Sequence, residues 1–196
     1  MSAVRTSLRS ALTAGLLGGA LLAVPAQANA AGEARDHCVT NLATGETACF
    51  GTFRDAVAHG TNGQVTDAPL SAHGAAADRA LTAKLTGPQT SATGQAAAYV
   101  LSIEFQLSHH NHDGESHAFT GPRPCLEDGK RDYLINDIRD YQPWWNDRIS
   151  SFRGYNTCDV NHYEHQVKNG GLTTGPKAAM ATMGAMDNKT TGLTFG

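Results

Sequence analysis

Trp144-Trp145-Asn146-Asp147-Arg148-Ile149-Ser150-Ser151-Phe152-Arg153 is the stretch on which the fold reading turns. Two adjacent Asn/Asp side chains precede a Ser/Thr hydroxyl by three to four positions, and a short apolar run that reads as a strand closes the motif. The same order returns as Met186-Asp187-Asn188-Lys189-Thr190-Thr191-Gly192-Leu193-Thr194-Phe195. A single hexad of this kind reads as an ordinary turn whose side chains bond their own backbone. Two hexads at matching places argue for a shared task. Adjacent amide or carboxylate groups with a nearby hydroxyl put several hard oxygens around one point, a donor set suited to calcium and its irregular shell.

Each hexad closes a unit with the same preceding order. Val100, Ile103, Phe105 and Leu107 suggest a strand with imperfect alternation, Asp113-Gly114 is a tight-turn dipeptide, and His117 to Thr120 returns antiparallel. Later, Val160 to Val167 is strand-like, Asn169-Gly170-Gly171 turns it, and Leu172 to Thr174 returns. Short strands, glycine turns and no long helix predict an all-β antiparallel sandwich over 98–196. Trp144, Trp145, Phe152 and Phe195 read as its core, since large aromatics dominate sandwich interiors.

Trp145-Asn146-Asp147-Arg148-Ile149-Ser150-Ser151, together with Tyr163-Glu164-His165 ahead of a glycine-bearing turn, resembles the signature of the microbial βγ-crystallin superfamily. The likeness runs from about Tyr99 to Phe195 and is most specific in the first hexad. In the second, Gly192 stands where the family usually has Ser, and Pro122 to Pro143 lengthens the first unit. The resemblance implies a two-motif Greek-key sandwich that binds calcium as its cofactor and has no enzymatic activity. It assigns Asp147 and Ser150 to a first site and Asn188 and Thr191 to a second, with Asn146 and Asp187 ligating or bracing the turns. Relatives include small secreted metalloproteinase inhibitors, which makes an extracellular protease the alternative partner and Gly121 to Pro143 the candidate inhibitory loop. A toxin-like relative of the same fold is a third reading. Cys125 lies in the lengthened connection and Cys158 just after the first hexad's strand, so a bridge between them would pin the insertion to the sheet.

The remaining chain sets the context. Arg5 and Arg9, the apolar run Ala11 to Val24 and Ala28-Asn29-Ala30 read as a signal peptide over 1–30, cleaved after Ala30. The apolar run is shorter than the roughly 20 residues of a spanning helix. The mature chain is therefore expected to be secreted, with no membrane partner after cleavage. All four cysteines follow the leader, and an even count in an exported chain predicts two disulfides, with three connectivities open. His37 to Phe50 forms two β-compatible runs about Ala43-Thr44-Gly45, and this hairpin favours Cys38–Cys49. No cysteine pair has the short C-x-x-C spacing of zinc sites. Thr52 caps a short helix from Phe53 to His59, completing a disulfide-stapled unit over 31–63. Residues 64–97, rich in Ala, Thr, Gly, Ser and Pro, read as a loosely packed linker.

Several function classes have no support in these residues. A net charge of −3 with interspersed signs supplies no basic stripe for nucleic acid. Ser150 and Ser151 sit in a turn motif rather than a Gly-x-Ser-x-Gly elbow, and no partnered His and Asp accompany them. Glu104, Asp159 and Glu164 read as solvent-facing strand residues. His109-His110-Asn111-His112 with His117 reads as a solvated hairpin tip, on which His110, His112 and His117 share a face.

Overall fold

His37–Asn41 (β1) and Thr47–Phe50 (β2) form the expected antiparallel hairpin. Gly45 turns it at φ 76°, a left-handed conformation open to a residue without Cβ. Opposed Cys38 and Cys49 are bridged, and so are Cys125 and Cys158. These bonds fit an oxidising compartment. The computed structural model describes residues 36–87, 98–110 and 114–196. The leader expected over 1–30, the last ten residues of the expected linker, and Asn111, His112 and Asp113 of the expected hairpin tip lie outside the described residues.

Helix α1 (Phe53–Gly60) begins where Thr52 Oγ1 accepts the Asp55 backbone N–H at 3.1 Å. Helix α2 (Arg79–Leu85) begins at Asp78, whose carboxylate accepts Ala80 N–H and Leu81 N–H. The strands that follow are β3 (Tyr99–Phe105), β4 (Ser116–Gly121), β5 (Tyr133–Ile135), β6 (Ser151–Gly154), β7 (Val160–Tyr163), β8 (Ala179–Met180) and β9 (Gly192–Phe195). The protein is mostly β, and its described residues form two sheets, ordered β2-β1-β4-β3-β6-β8 and β5-β9-β7. Among the described residues the β1–β4 pair is parallel and the other ladders are antiparallel.

Between the two sheets lies one core, built on Phe119, Ile135, Trp145, Phe152, Leu193 and Phe195. A second core lies on the outer face of the larger sheet, where Val100, Ile103 and Phe105 meet Val39, Phe53, Val57 and Leu81. Strand β3 is therefore covered on both faces. A register shift between Val100 and Ser102 accounts for its imperfect alternation, because a bulge moves every later side chain to the opposite face.

Contacts run across the parts read from the sequence. Gly32–Gly196 forms one compact unit. The hairpin is not a separate module, because β1 joins β4 and extends the main sheet. Nor are residues 64–87 loosely packed: Val65, Ala68, Ala72, Ala75, Ala76 and Leu85 are all buried. Asn156 ties this segment to the sheet, its amide donating to Leu85 O and Val100 O while its Oδ1 accepts Gly87 N–H. Small side chains allow that close approach, and their weak hydrophobicity is why composition alone misreads it.

The staple in the hairpin carries an expected effect. Replacing Cys38 and Cys49 with serine frees a bridge of sequence separation 11. The chain-entropy relation puts the cost at about 3 kcal/mol, read by denaturant unfolding, and an unmoved midpoint would show that the sheet alone holds the hairpin.

Candidate metal centre

Each hexad is entered through one 3-10 turn, Pro143–Trp145 before the first and Gly184–Met186 before the second. Trp145 and Met186 are buried and fasten those turns to the core. The backbone then repeats closely, with Asn146 at φ −60°, ψ 129° and Asp187 at φ −57°, ψ 125°. Asp147 and Asn188 follow in the left-handed region at φ 58° and 52°. Short polar side chains visit that region more readily than other residues bearing Cβ, which explains why the second position is Asn or Asp.

The two hexads face one another. Asp147 N–H donates to Thr190 O at 3.0 Å, and Asn188 N–H donates to Ile149 O at 3.1 Å. Ser150 N–H hangs from Phe105 O at 3.0 Å, and Thr191 N–H from Tyr163 O at 2.9 Å. These reciprocal pairs relate the units by a local two-fold.

Asn146, Asp147, Asn188 and Thr191 line one depression of about 480 Å³, with Glu164 on its wall. Asp147 accepts the Asn146 amide at 2.6 Å. Partial burial raises its carboxyl above the ordinary value, while Asn146 and nearby Arg139 act in the opposite direction. Asn146 Oδ1 is buried without a hydrogen-bond partner. Arg139 is committed elsewhere, to Asp137, through Nε at 2.8 Å and Nη2 at 2.6 Å. That pairing holds Asp137 well below the usual carboxylate range. Lys189 stands 3.9 Å from Glu164, too far for a hydrogen bond.

Both hexads contribute to this one depression. Asp147 shares its depression with Thr191 and Asn188 of the other hexad, and Ser150 is absent from that lining. The Ser150 hydroxyl instead donates to Asn188 Oδ1 at 3.3 Å. Asp187 is exposed and accepts the Asn188 amide at 3.2 Å, which braces the turn. Gly192 also finds its reason: a Cβ there would lie 3.1 Å from both Asn136 O and His165 O and 2.8 Å from a Val167 methyl.

Other readings change as well. Glu164 belongs to the depression rather than to an open strand face, a placement hinted at only by its seat in the hairpin Tyr163-Glu164-His165. Glu104 is fully buried. Trp145, Phe152 and Phe195 are core, but Trp144 is 57% exposed. Its indole donates to Glu115 at 2.6 Å and lies 3.8 Å under the Arg148 guanidinium. His117 leaves the hairpin tip for the core, with Nε2 2.7 Å from Thr40 Oγ1 and its ring stacked on Phe119.

The depression is lined by two carboxylates, four amides and a hydroxyl, oxygen-bearing groups of the kind hard cations take, together with Arg139, His165 and Lys189. Among the described residues, no three His, Cys, Asp or Glu side chains gather as a metal-binding group, so an ion here would draw on neutral oxygens too. These features define a mostly β, doubly disulfide-bridged protein with a polar inter-unit depression. Compared with known protein families, curated proteins and solved structures, the chain matches none.

Proposed function

We propose that this is an exported, non-enzymatic calcium-binding protein of βγ-crystallin type. The observation that carries the reading is the crossed juxtaposition of the two hexads, with Asn146 Oδ1 left unpartnered beside the Asp147 carboxylate. Strand order supports the paired Greek-key topology. The first unit's β3, β4 and β6 share a sheet with β8 of the second, and β7 and β9 share one with β5 of the first. Residue 173 bridges to Tyr163 where the second unit's return strand belongs. Bound calcium would draw the Asp147 carboxylate, the Asn146 oxygen and the Thr191 hydroxyl together and thereby join the two units. At 100 times its dissociation constant it would add about 2.7 kcal/mol to stability.

Calorimetric titration of calcium into the chelator-treated protein tests this. Saturable binding is expected, weakened about tenfold or more in Asp147→Ala, which removes a ligand carboxylate from an exposed position. Absence of heat at several temperatures, with the fold intact, would overturn the reading.

One observation favours protease inhibition as a second reading. Residues 126–131 are exposed and bracketed on one side by the Cys125–Cys158 bridge. On the other side Asp132 accepts Leu126 N–H at 2.7 Å and pairs with Arg123 at 2.6 Å. A braced exposed loop of this kind suits a protease cleft. Stoichiometric loss of activity of a zinc endoprotease on mixing would support it, and full activity at excess protein would dismiss it.

A further inference from the structure

The centre of the sandwich holds a hydrogen-bonded couple that the depression itself does not use. Glu104 stands opposite Phe152 on β6, and His162 stands opposite Leu193 on β9. Phe152 and Leu193 each follow the last position of their own hexad, so Glu104 and His162 occupy the same place in the two units. Both side chains are 0% exposed, and His162 Nε2 lies 2.9 Å from Glu104 Oε2 across the gap between the sheets. Ser102 donates its hydroxyl to the other carboxylate oxygen at 2.5 Å. His162 packs its ring 4.2 Å from that of Phe152, and its Nδ1 has no partner.

We infer that Glu104 and His162 are positioning residues for both hexad turns, holding the two halves of the depression in register; this rests on the calcium reading only for its ligand. The connection is one residue long on each side. Phe105 follows Glu104 and its carbonyl receives Ser150 N–H, while Tyr163 follows His162 and its carbonyl receives Thr191 N–H. A displacement of β3 against β7 therefore carries Ser150 and Thr191 with it. Apolar contacts between sheets are non-directional and permit such a slide. A buried hydrogen-bonded pair has one distance and one direction, the circumstance in which a polar group in a core specifies register. Its seat at the local two-fold makes the constraint act equally on both units.

The test replaces the couple by residues of similar shape, Glu104→Met with His162→Phe in one protein, a change that buried pairs often tolerate without loss of stability. Amide exchange is read first, without calcium. Exchange at Ser150 and Thr191 is expected to quicken about tenfold or more in the double variant while β9 core amides stay protected. With calcium present, affinity is expected to fall about tenfold although no ligand residue has changed. If the double variant does not fold, Glu104→Gln is measured in the same way. Unchanged exchange at both amides in a folded variant overturns the inference, whatever calcium does. If the wild-type protein binds no calcium, the calcium reading falls and amide exchange alone decides the role of the couple.

Discussion

Glu104→Ala is expected to lower the unfolding free energy by about 3–5 kcal/mol, the cost of leaving one member of a buried pair without the other. The substitution leaves His162, itself fully buried, without the carboxylate 2.9 Å away. It also strips the Ser102 hydroxyl of its acceptor and opens a void between Phe152 and the smaller sheet. For a chain of this length the melting temperature should drop by roughly 10 °C. Chemical denaturation with matched slopes is the deciding measurement. A loss below about 1 kcal/mol would mean that water or a neighbour takes the place of the carboxylate, contrary to a sealed core.

Acid is expected to have an effect of similar size through His117. Complete burial pushes its imidazole down from 6.5 to about 3. The folded protein therefore keeps His117 neutral, Nε2 against Thr40 and the ring on Phe119, where an unfolded chain would already have bound a proton. The sign follows from linkage. Above about pH 6.5 neither state is protonated and the group has no effect on stability with pH. Between about 6.5 and about 3 only the unfolded state gains the proton, so stability falls as pH falls, by about 1.4 kcal/mol per unit. The total approaches about 4–5 kcal/mol at the acid end. Burial also lowers His37, whose Nδ1 lies 2.9 Å from Ser116 Oγ, and it acts in the same direction. Unfolding free energies from pH 7 to pH 4 for wild type and His117→Phe check this. The variant should lose about one proton from the slope, and identical slopes would remove His117 as the acid-sensitive group.

Local chemistry was legible wherever a few adjacent residues decide the backbone. The β1–β2 hairpin follows from Ala43-Thr44-Gly45 between two β-compatible runs, and opposed cysteines follow from the hairpin. The cap at Thr52, the antiparallel return of β4 and the strands after each hexad depend on neighbours a few positions away. The hexads were recognisable for the same reason, since left-handed Asp147 and Asn188 are a property of the turn itself. Residues 64–87 misled because burial of alanine leaves little signal in composition. Glu104 misled because a charged residue in a strand reads as solvent-facing until something across the core is known to receive it.

Short-range backbone preferences and turn residues account for the stapled hairpin, the β3–β4 pair and the matching oxygen-rich hexads; of the second unit's expected hairpin, the strand ends at Tyr163 and its return is a single bridge at residue 173. Long-range packing sets the rest: Asp147 and Thr191 line one depression, Glu104 meets His162, and the hairpin extends the main sheet. Those partners lie tens of residues apart, and they are chosen by which strands stack once both faces of β3 are buried. That choice comes from the summed burial of the whole chain, which no local stretch encodes.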